Sequence, residues 1–241
     1  MASDAETFPN NGNRNLDTNN ESDYKLQIFQ SSLNVLAHVL IGASVMSSLL
    51  FAFRSGLPLN ATSLHIVLCV IGYHLLMAQA ILSLSDSNGW SSKLRLVDRR
   101  RAHWILQILG SGLAIIGSFI KIVDKSAHWN TLHGKFALVA LVFTTFSLVN
   151  GVASLYGVEW RRFLNMNISK LTHVCFGIVA FSSATITLCY GFDKFPFRTW
   201  ASTPVADALI AVTAVYATII IINPAITFYR KSRVVIKNAT S

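Results

Sequence analysis

The alternation of apolar and polar stretches divides the chain into six long uncharged runs, at about 33–53, 62–84, 102–123, 134–156, 171–191 and 204–228. Each is long enough to cross a hydrocarbon core of about 30 Å as an α-helix. The connections between them are too short for a second folded unit. The pattern therefore predicts an all-α membrane protein of six transmembrane helices.

Inside the runs the few polar side chains recur in one arrangement. In the third, Gln107, Gly110, Ala114 and Gly117 fall in line below His103 when positions are laid out at about 100° per residue. The second run repeats the design with His65, Cys69 and Gly72. The fourth does so with His133, Ala137, Ala140, Thr144 and Ser147, and the fifth with His173, Gly177, Ala180, Ala184 and Thr187. Small residues by themselves let membrane helices approach closely. Headed by four equivalent imidazoles, they suggest grooves for a bound planar cofactor.

Because successive helices alternate in direction, His65 and His133 are expected at one depth and His103 and His173 at another. In an up-down bundle of the second to fifth helices, the members of each pair sit on diagonally opposed helices. Each diagonal can clamp one planar group, and bis-histidine ligation of haem iron meets that geometry. With both axial positions filled, the iron suits electron transfer better than oxygen binding. Two such groups, roughly 20 Å apart across the core, would form a wire through the membrane. The expected architecture is thus a central four-helix bundle holding two b-type haems. A non-haem protein using intramembrane histidines for metal transport is one alternative, but it would want them converging on one site, with carboxylates. Four separately satisfied histidines, or a redox-inactive scaffold, are the others.

Charge sets the orientation. Of the 20 Lys and Arg residues, 14 fall on one side if both termini are cytosolic, including Lys93, Arg95, Arg99, Arg100, Arg101, Arg161, Arg162, Lys170, Arg230 and Lys231. That bias, with attraction to anionic lipid, accounts for the net charge of +9 without nucleic acid. The expected location is endomembrane (ER or vesicle) or plasma membrane. Cys69, Cys175 and Cys189 lie within apolar runs and form no disulfide framework.

The remaining segments refine this picture. Residues 1–25 are polar and read as a disordered cytosolic tail, 26–232 as the membrane domain and 233–241 as a second cytosolic tail. His38 is expected to be a hydrogen-bonded structural histidine. His74 faces away from His65 and cannot share a ligand with it. Gln79 could donate to a cofactor edge or pack against the third helix. Asn60 starts a glycosylation sequon but is placed to cap the second helix. Asp207 reads as an acid favoured by a helix N-terminus, and Asn223-Pro224 as a point of relaxation in the last helix. The aromatic segment from Phe192 to Ser202 is expected as an interfacial loop. The basic residues before His103 could draw an anionic electron donor to the mouth of that site. His128, in the loop before His133, could hold an outer acceptor such as ferric iron or an organic anion.

Six helices with His65, His103, His133 and His173 near the starts of the central four resemble the cytochrome b561 family of transmembrane electron carriers. The stretches Ala102-His103-Trp104-Ile105-Leu106-Gln107, Leu132-His133-Gly134 and Leu171-Thr172-His173 are similar to its short, core-only branch. The resemblance covers about residues 30–232. It implies one-electron transfer from cytosolic ascorbate, through an inner haem on His103 and His173 and an outer haem on His65 and His133, to monodehydroascorbate or ferric iron. It also implies a homodimer as the form to look for. Dedicated ascorbate enzymes of the family carry a lysine-bearing cytosolic motif where this chain is arginine-rich. Arg95, Arg99 and Arg101 therefore stand as ascorbate-site candidates on charge alone, and His128 matches a histidine at the same offset in this branch.

Overall fold

The computed structural model describes residues 11–155 and 166–240. Seven helices are present among them: α1 (Asn11–Phe53), α2 (Ala61–Leu82), α3 (Leu96–Asp124), α4 (Leu132–Leu155), α5 (Met166–Phe192), α6 (Phe195–Ala201) and α7 (Thr203–Thr240). All but α6 contain a segment long and apolar enough to span a bilayer. Large apolar side chains such as Val39, Leu109, Phe119, Phe146 and Val149 stand exposed, on surfaces that hydrocarbon covers. The end carrying the α1–α2 and α3–α4 connections is called outer, after the expected orientation.

Two of the expected boundaries differ. α1 extends back to Asn11, through much of the segment expected to be a disordered tail. A helix already nucleated by its apolar part elongates cheaply, and Lys25 pairs with Glu21 at 2.7 Å one turn away. The C-terminal segment likewise continues α7 to Thr240, straight through Pro224. Residues 1–10, and Arg161 and Arg162 of the inner basic set, lie outside the described residues. The aromatic segment expected as a loop contains the short helix α6. Its Phe197 is buried against Phe51 and Phe192, closing the outer ends of α1, α5 and α7.

α2 to α5 form the central bundle, with α1 and α7 packed outside it. A core of Ala37, Ile41, Val45, Val70, Phe181, Tyr216 and Ile220 joins α1, α2, α5 and α7. Ser44 and Thr213 add a buried hydroxyl bond of 3.1 Å between α1 and α7. The Asn60 side chain accepts from the Ser63 amide at 2.9 Å and so starts α2 as expected. Asp207 is in an ion pair with Arg198 at 2.6 Å. Between Val70 and Met77 the turns of α2 widen to the π form, in which each turn takes up an extra residue.

The glycines of α2 and α3 set how close those helices come. A Cβ on Gly72 would lie 2.6 Å from the Gly110 carbonyl oxygen, and one on Gly117 would lie 2.8 Å from Leu68 Cβ. The column Gly110, Ala114, Gly117 was expected to floor a cofactor groove. It is instead the seat on which α2 rests.

Candidate functional site

Each of the four bundle histidines is oriented by one bond to a neighbouring backbone. His65 Nδ1 donates to the Gly117 carbonyl at 2.9 Å, and His103 Nδ1 to Ala80 at 2.8 Å. His133 Nδ1 donates to Thr187 at 2.9 Å, and His173 Nδ1 to Ser147 at 3.1 Å. A carbonyl can only accept, so the proton is on Nδ1 in all four rings. Nε2 keeps its lone pair, and no hydrogen bond engages it among the described residues. That is the tautomer a metal-ligating histidine uses, with the second ring nitrogen fixing the ring's orientation.

The donors and acceptors follow a reciprocal rule. Gly117, Ser147 and Thr187 each stand fourteen residues beyond the histidine of their own helix, about 21 Å along it. Each presents its carbonyl to a histidine of the opposite layer on the adjacent antiparallel helix. α2 with α3 forms one reciprocal pair and α4 with α5 the other. In α2 the count is fifteen, from His65 to Ala80, and the π segment lies between them. The wider turn takes up the additional residue and keeps the Ala80 carbonyl aimed at His103.

Across the bundle the histidines meet as the sequence predicts. The ring centres of His65 and His133 are 6.4 Å apart, and those of His103 and His173 are 6.3 Å apart. A metal ion bonded at about 2 Å to a nitrogen on each side, with about 1 Å more from nitrogen to ring centre, requires roughly 6 Å. Both pairs therefore fit an ion held between two imidazoles, with the lone pairs free to hold it. Among the described residues no three His, Cys, Asp or Glu side chains converge as a compact metal cage.

Two glycines that sequence reasoning missed stand beside these rings. A Cβ on Gly151 would come within 3.1 Å of His173 Cε1, and one on Gly191 within 3.8 Å of His133 Cε1. Each is eighteen residues beyond the histidine of its own helix, a repeated offset that was legible in the chain. A polar clasp holds the inner ends of α4 and α5 together. Asn150 donates to Thr172 Oγ1 at 2.6 Å and accepts from Ser169 Oγ at 3.1 Å.

His38 and His74 are occupied. Gln79 donates to His38 Nδ1 at 2.9 Å, and His38 Nε2 donates to Asn88 Oδ1 at 2.9 Å. Gln79 is thus tied to α1, and its carbonyl also accepts from Trp90 at 3.4 Å. His74 is buried, with the Tyr216 hydroxyl 2.8 Å from Nδ1.

The outer pair opens to a pocket. His65 and His133 line it together with Lys121, Lys125, His128, Asn130 and Thr131. The Lys194 charge also acts on His133. Lys194 lies outside the membrane segments, and its amine is lowered below the usual lysine range. Burial is the main cause and the Lys125 charge adds to it, while Asp193 opposes. At the inner end, Arg95 and Arg101 share Asp98 at 2.8 and 3.3 Å, and Arg99 pairs with Asp86. Lys231 feels the charges of Arg100 and Lys170 and acts in turn on His173. Lys231 was not among the sequence candidates, because only the folded bundle brings α7 to the inner histidine layer, and Lys170, three residues before His173, was legible in the chain but not singled out.

The fold and paired histidines define a multi-pass membrane protein built to hold something in two layers, and the comparisons with known proteins agree. The model of the eukaryotic cytochrome b561 family matches residues 64–198. The human protein named Transmembrane reductase CYB561D2 is 29% identical over 165 residues, covering 67% of this chain and 73% of that one. Its bovine counterpart is 30% identical over 133 residues, which is 54% of this chain and 60% of the relative. The chain belongs to the cytochrome b561 family. It is an integral membrane oxidoreductase of the b-haem-binding, transmembrane electron-transfer class.

Proposed function

We propose that the protein passes electrons one at a time from cytosolic ascorbate, through two bis-histidine b haems, to monodehydroascorbate or ferric iron on the non-cytosolic side. His103 and His173 hold the entry haem, and His65 and His133 the exit haem. The observation that carries this reading is the pair of imidazole separations, 6.3 and 6.4 Å, with every Nδ1 committed to a carbonyl. When bound, haem would supply reversible one-electron chemistry. The four carbonyls hold the rings against rotation and raise the basicity of Nε2.

Charge supports the class of partner at each end. At the entry end, Arg100, Lys170 and Lys231 add to Arg95, Arg99 and Arg101, three of whose charges face only two carboxylates. An ascorbate anion is drawn there. At the exit end, Lys121, Lys125, Lys194 and His128 surround the outer pair, while Asp124 and Asp193 are engaged by Lys121 and Arg198. Such a pocket favours an anion, either monodehydroascorbate or iron in an anionic chelate, over a bare ferric ion. The reading includes cytosolic termini, an endomembrane or plasma-membrane location, and self-association as a homodimer.

The first test is a visible difference spectrum of the purified protein, reduced with ascorbate and then with dithionite, with haem counted per chain. Two low-spin b haems, at least partly reduced by ascorbate, are expected. A colourless protein made with adequate haem supply discards the reading.

A further inference from the structure

The two histidine layers are separated by about 21 Å of α3, from His103 to the Gly117 carbonyl that orients His65. What fills the interval on the bundle axis is a small cluster. Tyr73 and Met77 come from α2, Ala114 from α3, Ala140 from α4 and Ala184 from α5, with Cys69 packed against them. All four bundle helices meet there, and three of them contribute only a methyl group. Tyr73 is the sole aromatic ring of the cluster and is 6% exposed.

The position of the ring is fixed at both ends. Tyr73 lies eight residues from His65 and seven from Ala80, midway along α2, inside the π segment. Its hydroxyl accepts from Thr144 Oγ1 at 3.1 Å, and Thr144 is itself buried. Thr144 stands one turn before Ser147, whose carbonyl orients His173. Ala114 and Ala184 stand one turn before Gly117 and Thr187, which orient His65 and His133. The side chain therefore runs from the middle of the interval, on α2, to a residue one turn from the inner layer.

We infer that Tyr73 is the residue that couples the two histidine layers, its ring forming the main tunnelling bridge for the electron between them. This rests on the two-haem reading above. No bond forms or breaks, and Tyr73 keeps its phenolic proton. With a redox group held by His103 and His173 and another by His65 and His133, the single electron would pass between them, and Tyr73 would neither gain nor lose one overall. The ring replaces what would otherwise be a through-space jump between alanine methyls. A competing route runs through Phe143 of α4 and Phe176 of α5, whose ring centres are 5.5 Å apart.

The experiment uses the full chain, reconstituted with haem in lipid nanodiscs and reduced by a rapid pulse, with the layer-to-layer transfer rate followed optically. Tyr73→Leu is expected to slow transfer about tenfold, and Tyr73→Met, which fills more of the volume without a ring, by a similar factor. Tyr73→Phe keeps the bridge and stays within about twofold of the parent, as does Phe176→Leu. Haem per chain and both midpoint potentials, readouts of the sites themselves, should not move. Parent-like transfer in Tyr73→Met overturns the assignment, as does a Tyr73→Phe rate as low as that of Tyr73→Leu. Should Tyr73→Leu not fold, the Met and Phe variants decide. A parent protein holding fewer than two haems overturns the two-haem reading itself, and the haem count registers that before any rate is measured.

Discussion

The four histidines of the bundle share their intrinsic chemistry with His38 on α1 and with His74, which faces α7, yet hydrogen bonds divide them. His38 has both ring nitrogens engaged, by Gln79 and Asn88, and Asn88 is itself tied to Ser91 at 2.6 Å. His74 meets the Tyr216 hydroxyl and the Ala184 backbone and is ringed by Tyr73 and Phe181. His65, His103, His133 and His173 each spend one nitrogen on a carbonyl and keep the other open toward a partner imidazole. A buried histidine's role is thus set by how many of its two nitrogens the protein has already used. The saturated ones hold helices together, and the half-used ones are available to a ligand.

The largest effect should come from emptying one of the half-used positions. His103→Ala should reduce haem from two per chain to one and abolish reduction by ascorbate while leaving the outer haem bound. Retention of both haems would sink the ligand assignment. His38→Ala provides the contrast. It should keep both haems but lower stability by about 1–3 kcal/mol, since Gln79 and Asn88 lose their partner in a buried setting. Thermal unfolding of the haem-loaded protein measures that, and haem loss without unfolding would erase the distinction between the two classes.

A second pair of substitutions sharpens the comparison within the bundle. Gly72→Ala forces a methyl against the Gly110 carbonyl and should cost about 2–3 kcal/mol by parting α2 from α3. Gly151→Ala touches only the His173 ring, at 3.1 Å, and should perturb the inner haem's spectrum and potential more than global stability. Gly191→Ala, with 3.8 Å to the His133 ring, should leave the outer haem unchanged. Equal effects at Gly151 and Gly191 would mean that ring contact is not what those glycines protect.

The smallest effect belongs to the outer pocket. Lys125→Ala should raise KM for an anionic acceptor several-fold with little change in kcat. The amine of Lys194 is lowered by burial and by the neighbouring charge of Lys125. Its contribution to anion capture should be complete at low pH and fade as pH rises through a point below the usual lysine range. In Lys125→Ala that fading should move to higher pH, because one like charge is gone. A pH profile of acceptor KM that is the same in both proteins would separate Lys194 from the site.

Sequence alone was enough for whatever depends on one helix at a time. Six apolar runs, the depth of each histidine within its run and the alternation of chain direction together predict two layers and the pairing of His65 with His133 and His103 with His173. These follow from hydropathy, a rise of about 1.5 Å per residue and short connections, all of them local. The Asn60 cap was legible for the same reason. What the small-residue columns do was not legible, because a glycine on a helix face looks the same whether a cofactor or another backbone lies against it. Gly110 and Gly117 turned out to seat α2, while Gly117, Ser147 and Thr187 orient histidines through carbonyls that no side-chain pattern reports. The occupation of His38 and His74, the approach of Lys231 to the inner layer, and the π turn that absorbs one residue of α2 were likewise decided by tertiary structure. Each depends on which helix lies alongside, and a hydrogen bond or a like charge from a neighbouring helix leaves no trace in the periodicity of its own.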